Sequence, residues 1–151
     1  MHVLIFLDFD GVLRRATSNP SRFDSDCLGN FEAVVRQYVD LKIVISSTWR
    51  LAIPLKELRK YFSPDIATRI VGITPEIYEE EIFERYEEIM AYLEGKGMFN
   101  THWIAIDDNP EHFPKNKPVV FADPNKGFDA ECTVRLRNFL DSFTFPPDAA
   151  S

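Results

Sequence analysis

The first dozen residues constrain the chain most. Val3-Leu4-Ile5-Phe6-Leu7 is an unbroken apolar run that gives way at once to Asp8-Phe9-Asp10-Gly11-Val12-Leu13. A run without polar alternation reads as a strand buried on both faces, the pattern of a central strand in a parallel sheet. Open α/β sheets place ligands just beyond the carboxyl ends of their strands. Asp8 therefore falls where chemistry is usually placed, and Asp10 lies one step out on the loop. What the other strands bring beside that pair decides its use.

Further along, a polar loop from Arg14 to Asp24 leads to a helix that Asp24 or Ser25 can cap, with Leu28, Phe31, Val34, Val35 and Tyr38 at helical spacing. Leu41–Ile45 is a second buried strand, running into Ser46-Ser47-Thr48-Trp49-Arg50. Pro54 suits the first turn of another helix, whose face carries Leu55, Leu58 and Phe62. Ser63-Pro64-Asp65 reads as a loop, and Arg69–Ile73 as a third strand stopped by Thr74-Pro75. The acidic stretch from Glu76 to Glu94 carries a stripe of Ile82, Tyr86, Ile89 and Leu93, which predicts an amphipathic helix ended by Gly95-Lys96-Gly97. His102–Ile106 is a fourth strand, entering Asp107-Asp108-Asn109-Pro110, and Val119–Phe121 a fifth. A last helix spans Ala130–Phe143, with Val134, Leu136, Phe139 and Leu140 as its apolar residues. Strands alternating with helices, each strand short and apolar, predict an α/β fold: a doubly wound, three-layer parallel sheet. The expected organisation is a single domain over 1–143 with a frayed tail over 144–151.

Composition narrows the class. Lys and Arg number 17 against 24 Asp and Glu, a net charge of −7, which argues against a nonspecific nucleic-acid coat but leaves room for a local basic groove. No apolar run approaches the ~20 residues needed to span a bilayer, and the start of the chain lacks a basic, signal-like region, so the expected location is cytoplasmic with no membrane partner. Cys27 and Cys132 read as reduced packing residues.

The chemistry rests on coincidence. The first strand ends in Asp8 and Asp10, the second in Ser46-Ser47-Thr48 and the fourth in Asp107-Asp108. In a parallel sheet these ends share one edge, so up to four carboxylates and a hydroxyl converge. Like charges that close disfavour full ionisation, and a divalent cation resolves the conflict. Oxygen-only ligands select a hard ion such as Mg²⁺, which commonly binds one or two carboxylates together with a substrate phosphate. The pattern points to phosphate chemistry.

On these residues the chain resembles the haloacid dehalogenase (HAD) superfamily of phosphohydrolases, carried by Asp8-Phe9-Asp10-Gly11-Val12, Ser47 and Asp107-Asp108. The resemblance covers nearly the whole chain. More narrowly, Ser46-Ser47-Thr48-Trp49-Arg50, Gly72-Ile73-Thr74-Pro75, Arg85-Tyr86-Glu87-Glu88-Ile89 and Ile106-Asp107-Asp108 look like the small HAD domains of bacterial RNA-repair (Swiss Army Knife) proteins. The resemblance implies Asp8 as the nucleophile that forms an aspartyl-phosphate, and Asp10 as the acid and then base. It implies a Mg²⁺ held by the Asp8 carboxylate, the Asp10 backbone carbonyl and the Asp107-Asp108 pair, with Asp108 the direct ligand and Asp107 either a ligand or one step behind. It places phosphate binding at Ser47, with Ser46 the alternative. The superfamily's usual lysine has no counterpart at the expected place; Arg85 stands in for it. Arginine offers a planar, bidentate fork where lysine offers a point charge, so the exchange is not neutral.

Each of these residues also has an ordinary reading. Asp-x-Asp-Gly is a turn signal, Asp107-Asp108-Asn109-Pro110 a helix-capping loop, and Ser47 a backbone-bonded loop serine. Arg85 can be a solvated partner of Glu81 or Glu88. Trp49 reads first as packing rather than substrate stacking. Arg14, Arg15 and Arg22 are either a solvated run or a cationic flap above the site. His2, His102 and His112 are scattered and assigned to no metal.

The 9–41 and 74–101 stretches hold little beyond a loop and a crossover helix, so no large cap domain is expected. An uncovered site excludes water poorly unless the substrate covers it. That favours a large substrate, such as a phosphorylated nucleic-acid end or a protein, or an oligomer whose neighbour acts as the lid. The alternatives are a degenerate HAD module that binds a phosphorylated partner with little turnover, a protein or nucleotide phosphatase, and a receiver-type domain. The last is disfavoured because no acid ends the third strand.

Overall fold

The computed structural model of the chain describes residues 2–77, 82–98 and 100–144. Five parallel strands form one sheet: β1 (Val3–Leu7), β2 (Leu41–Ile45), β3 (Ile70–Ile73), β4 (His102–Asp107) and β5 (Val119–Phe121), in the order β3-β2-β1-β4-β5. The chain builds outward from β1 on one side, then crosses back to lay β4 against its other edge. The order reverses between β1 and β4, and that switch point is where an open α/β sheet leaves a crevice at its carboxyl edge.

Burial follows the pleat. In β1, Val3, Ile5 and Leu7 enter one core while Leu4 and Phe6 enter the other, because successive side chains leave a strand on opposite faces. The first core is covered by α1 (Ser25–Val35), α5 (Ala130–Thr144) and two short helices, α2 (Leu55–Leu58) and α3 (Pro64–Ala67). The second is covered by α4 (Glu84–Gly95) through Ile89, Tyr92 and Leu93. With both faces covered, β1 is buried at every residue, which is why its sequence is apolar throughout. The sheet and its flanking helices make the expected three-layer α/β core, and the 151-residue chain leaves no room for a large cap.

Several local expectations need correction. Helix α1 ends at Val35, so Tyr38 lies beyond it, and its hydroxyl donates to Asp141 at 2.6 Å. Asp24 occupies the N-cap position without a side-chain cap, because its carboxylate accepts instead from the Arg15 amide and the Ser18 hydroxyl. Pro54 precedes rather than opens α2, which lasts four residues before a tighter turn at Arg59–Tyr61. Leu58 and Phe62 are nonetheless buried. Ser63-Pro64-Asp65 is not a loop: Pro64 opens α3, and the buried Glu32 of α1 accepts from both the amide and the hydroxyl of Ser63. The acidic helix begins at Glu84, not Glu76. Arg50 takes the carbonyls of Thr74 and Pro75, which holds the chain extended after β3. Ile82 therefore precedes the helix and is 85% exposed, leaving Tyr86, Ile89 and Leu93 as the stripe. In α5, Val134 faces outward at 55% exposure, and Cys132, Leu136 and Leu140, four residues apart, make the buried face. The expected tail from Phe145 and the suggested Glu81 partner of Arg85 lie outside the described residues.

Candidate active site

Backbone pairing brings the acids together. Leu7 of β1 is in register with Ile106 of β4, and the Asp8 amide donates to the Ile106 carbonyl at 3.0 Å. Asp8 and Asp107 thus leave adjacent strands at the switch point. Between the two aspartates of the first loop, Phe9 turns inward. Its ring is fully buried against Phe23, Trp49 and Phe62, and its carbonyl accepts the amides of Val12, Leu13 and Arg14. The apolar residue at the centre of Asp-Phe-Asp anchors the loop that carries both acids.

Gly11 meets two requirements at once. Its φ is +78°, a conformation that side chains resist, and a Cβ there would sit 2.2 Å from Asp108 Oδ2. Glycine lets Asp108 fold over the first loop. Carboxylate oxygens of Asp8, Asp107 and Asp108 lie within 4.8 Å of one another. Asp8 and Asp107 are buried and Asp108 is partly open.

One guanidinium faces this trio. From the first turn of α4, Arg85 reaches back so that Nη1 is 3.8 Å from Asp8 Oδ1 and Nε is 3.6 Å from Asp107 Oδ2. Both distances exceed a hydrogen bond. Arg85 Nη1 and Asp107 Oδ2 are buried with no hydrogen-bond partner, although Asp107 Oδ1 accepts the amides of Asp108 and Asn109. The reading of Arg85 as a solvated partner of Glu88 does not hold, since Arg85 is buried and Glu88 pairs with Arg50.

Burial and the neighbouring Asp107 carboxylate raise the Asp8 pKa well above the usual range, with Arg85 opposing. Burial raises Asp107 to about 6, again against the pull of Arg85. Burial disfavours the charge on Arg85 itself, but Asp8 and Asp107 more than offset this, and its pKa is raised. Three carboxylates against one guanidinium leave the excess negative charge a divalent cation would cancel. The all-oxygen donor set and the unpartnered Asp107 Oδ2 fit a hard ion, as expected for Mg²⁺.

Asp10 stands apart from the trio. Arg14 Nε donates to its Oδ1 at 2.9 Å and Trp49 Nε1 to its Oδ2 at 3.1 Å. Its carboxylate is not part of the group that could hold a metal ion. Ser47 is fully buried after β2, and its hydroxyl accepts the Trp49 amide at 3.2 Å. Ser46 is also buried, its amide bound to the Leu7 carbonyl.

Three partnerships lay outside what was read from the sequence. Trp49 packs, as expected, but its indole also orients Asp10; nothing in the sequence pairs residues that far apart. Arg14 does the same for the other oxygen, and its four-residue spacing from Asp10 was a usable signal. Arg50 is the larger omission. Its guanidinium donates to the carbonyls of Ser46, Ser47, Thr74 and Pro75 and to Glu88, tying the ends of β2 and β3 to α4.

No helix among the described residues is long and apolar enough to cross a membrane. Neither a curated protein nor a solved structure matches the chain. One family does: the sequence model for the HAD domain in Swiss Army Knife RNA repair proteins matches residues 4–132, from the first strand into the last helix. A three-layer α/β core with its acids at the switch point and a match over most of its length place this chain in that HAD-domain family.

Proposed function

We propose that the chain is a Mg²⁺-dependent phosphohydrolase acting through an aspartyl-phosphate on Asp8, with a phosphorylated polynucleotide end as its substrate. The observation that carries this reading is the meeting of Asp8, Asp107 and Asp108 with the single guanidinium of Arg85 at the β1/β4 switch point. Membership of a HAD-domain family supports the reaction class, and the family's RNA-repair context supports the substrate class.

In the first half-reaction an Asp8 carboxylate oxygen attacks phosphorus and the bond to the leaving oxygen breaks, while Asp10 gives that oxygen a proton. In the second, Asp10 takes a proton from water, whose oxygen attacks phosphorus and releases Asp8 and inorganic phosphate. Arg85 offsets charge on the phosphoryl oxygens, using the Nη1 hydrogens that have no protein acceptor. Ser47, or Ser46 beside it, supplies a hydroxyl. Magnesium, held by Asp8, Asp107, Asp108 and the Asp10 carbonyl, would neutralise further phosphoryl charge when bound. With no large cap, a large substrate or a neighbouring copy of the chain would shield the reacting atoms from water better than a small ester does.

Hydrolysis of an aryl phosphate should require Mg²⁺, stop on chelation, and fall at least about a thousandfold in Asp8→Asn, removal of a nucleophile that acts with its partners as one unit. Equal rates for the two proteins would sink the proposal. Stoichiometric binding of a phosphorylated RNA end without phosphate release would favour the binding-module alternative. Preference for a phosphopeptide over RNA or DNA ends would move the reading to a protein phosphatase.

A further inference from the structure

Beside Asp10 lies a groove of about 380 Å³ with a different character from the acid cluster. Trp49 and Tyr61 supply its aromatic surface, and Ala52 and Ile53 extend it. Pro20, Ser21 and Thr48 complete the lining, so no lining residue carries a formal charge. A second cavity, of about 90 Å³, shares Thr48 with it and is lined mostly by charged residues, among them Arg50, Arg85, Glu84 and Glu88. The neutral groove suits a planar, uncharged body and offers nothing to a second phosphate.

The groove is also joined to the chemistry. The indole that lines it donates through Nε1 to Asp10 Oδ2 at 3.1 Å. On the reading of Asp10 as the acid at the leaving oxygen, whatever that oxygen is attached to emerges against Trp49. The ring is braced by Phe9 at 5.3 Å, Tyr61 at 5.5 Å and Phe23 at 5.6 Å between centroids, so it forms a rigid platform. Aromatic platforms hold nucleobases by stacking, with little dependence on sequence. The volume lies within the ~300–1,000 Å³ range of small-molecule sites, which admits a base with its sugar.

We propose that this groove holds the terminal nucleoside of the substrate, its base stacked on one of the Trp49 and Tyr61 rings and meeting the other edge-on, since their planes cross at 72°, while the phosphate sits at the acid cluster. The inference rests on the phosphohydrolase reading above. The groove selects a base by stacking rather than by charge, and Trp49 serves both the base and the acid. Tyr61 also braces Trp49, so the informative positions are Ser21 and Ala52, two exposed residues of the lining.

The test compares adenosine monophosphates with base-free ribose phosphate in kcat/KM, for the parent protein, Ser21→Leu and Ala52→Leu. Ala52 is exposed, so its substitution fills the groove without disturbing the core. The parent should prefer the nucleotide roughly five- to hundredfold, the worth of one stacked base. Both variants should lose that preference while keeping their rate on ribose phosphate. Quenching of tryptophan fluorescence by phosphate-free adenosine gives a readout that needs no turnover, and it should weaken in both variants. Equal use of both esters by the parent, equal loss on both esters in the variants, or preference for a phosphotyrosine peptide overturns the groove assignment and leaves the phosphatase reading standing. Adenosine binding that depends on Ser21 and Ala52 in a protein that hydrolyses no ester supports the groove and overturns the reaction instead. Absence of adenosine quenching in the parent overturns the groove whatever the activity.

Discussion

Arg50 Nη2 lies 2.7 Å from Glu88 Oε2, with the two side chains 2% and 6% exposed. The pair links the loop after β2 to α4, one turn beyond Arg85. Its remaining guanidinium hydrogens go to four backbone carbonyls, so the charge is fully solvated by protein. Burial raises the Glu88 pKa, with Arg50 and Arg85 opposing. Arg50→Ala would leave Glu88 buried without its partner and free four carbonyls at the strand ends. The expected cost is about 3–5 kcal/mol in urea unfolding, with Arg50→Lys recovering only part of it. A loss below ~1 kcal/mol would mean the pair does not organise this edge of the sheet.

The acid cluster makes a pH prediction for the metal-free protein. The folded-state pKa of Asp107 is raised to about 6 and that of Asp8 is raised as well, so the folded state holds these protons more tightly than the unfolded chain. Stability from this source is fully present below the unfolded carboxylate range near pH 4 and is lost as pH rises through about 6. For Asp107 the loss is on the order of 2–3 kcal/mol. Asp107→Asn keeps an Oδ1 acceptor for the amides of Asp108 and Asn109, and should therefore be more stable than the parent at pH 7.5 in chelator and similar at pH 4. Saturating Mg²⁺ should narrow the difference by stabilising only the parent. Thermal melts at both pH values, with and without Mg²⁺, check it; an Asn variant less stable at both would contradict the burial argument.

Gly11→Ala tests whether the first loop and Asp108 need one another. The substitution meets both an unfavourable φ and the Asp108 carboxylate. Strain alone should cost roughly 1–2 kcal/mol. Displacing Asp108 should weaken Mg²⁺ binding about ten- to hundredfold by calorimetry, the scale seen when groups supporting a metal site are lost. Unchanged Mg²⁺ affinity would remove Asp108 from the ligand set.

The sequence displayed the parts of this fold that local physics decides. A short apolar run with no polar alternation reads as a covered strand, and so all five strands were legible, as was the edge on which Asp8, Asp107 and Asp108 meet. The stretch from Pro54 to Ala67 was less so, because α2 and α3 are single turns held by distant partners such as Glu32 rather than by their own periodicity. Ile82 and Val134 fitted helical spacing but not burial, since α4 begins only at Glu84 and α5 turns Val134 away from the core. Arg50 and Trp49 were read as parts of a motif, yet what each holds lies across the sheet edge. Long-range partners of a single side chain leave no periodic trace.

The clamp on Asp10 offers the sharpest test of its role as the acid. Trp49→Phe keeps an aromatic ring beside Phe9 and Tyr61 and removes the Nε1 donor to Asp10 Oδ2 along with part of the indole; Arg14→Gln removes the charged donor to Oδ1. If these two donors orient the group that protonates the leaving oxygen, the loss must depend on how much that oxygen needs the proton. With a nitrophenyl phosphate, whose leaving oxygen departs readily as an anion, either variant should stay within about threefold of the parent. With an alkyl phosphate, which must be protonated to leave, kcat should fall about ten- to hundredfold, within the range that positioned acid catalysis contributes, while KM moves little. Rates on a graded series of leaving groups would show the dependence as a slope steeper in the variants than in the parent. Parallel slopes, with the same loss for every ester, would instead mean that Arg14 and Trp49 hold the loop and not the acid.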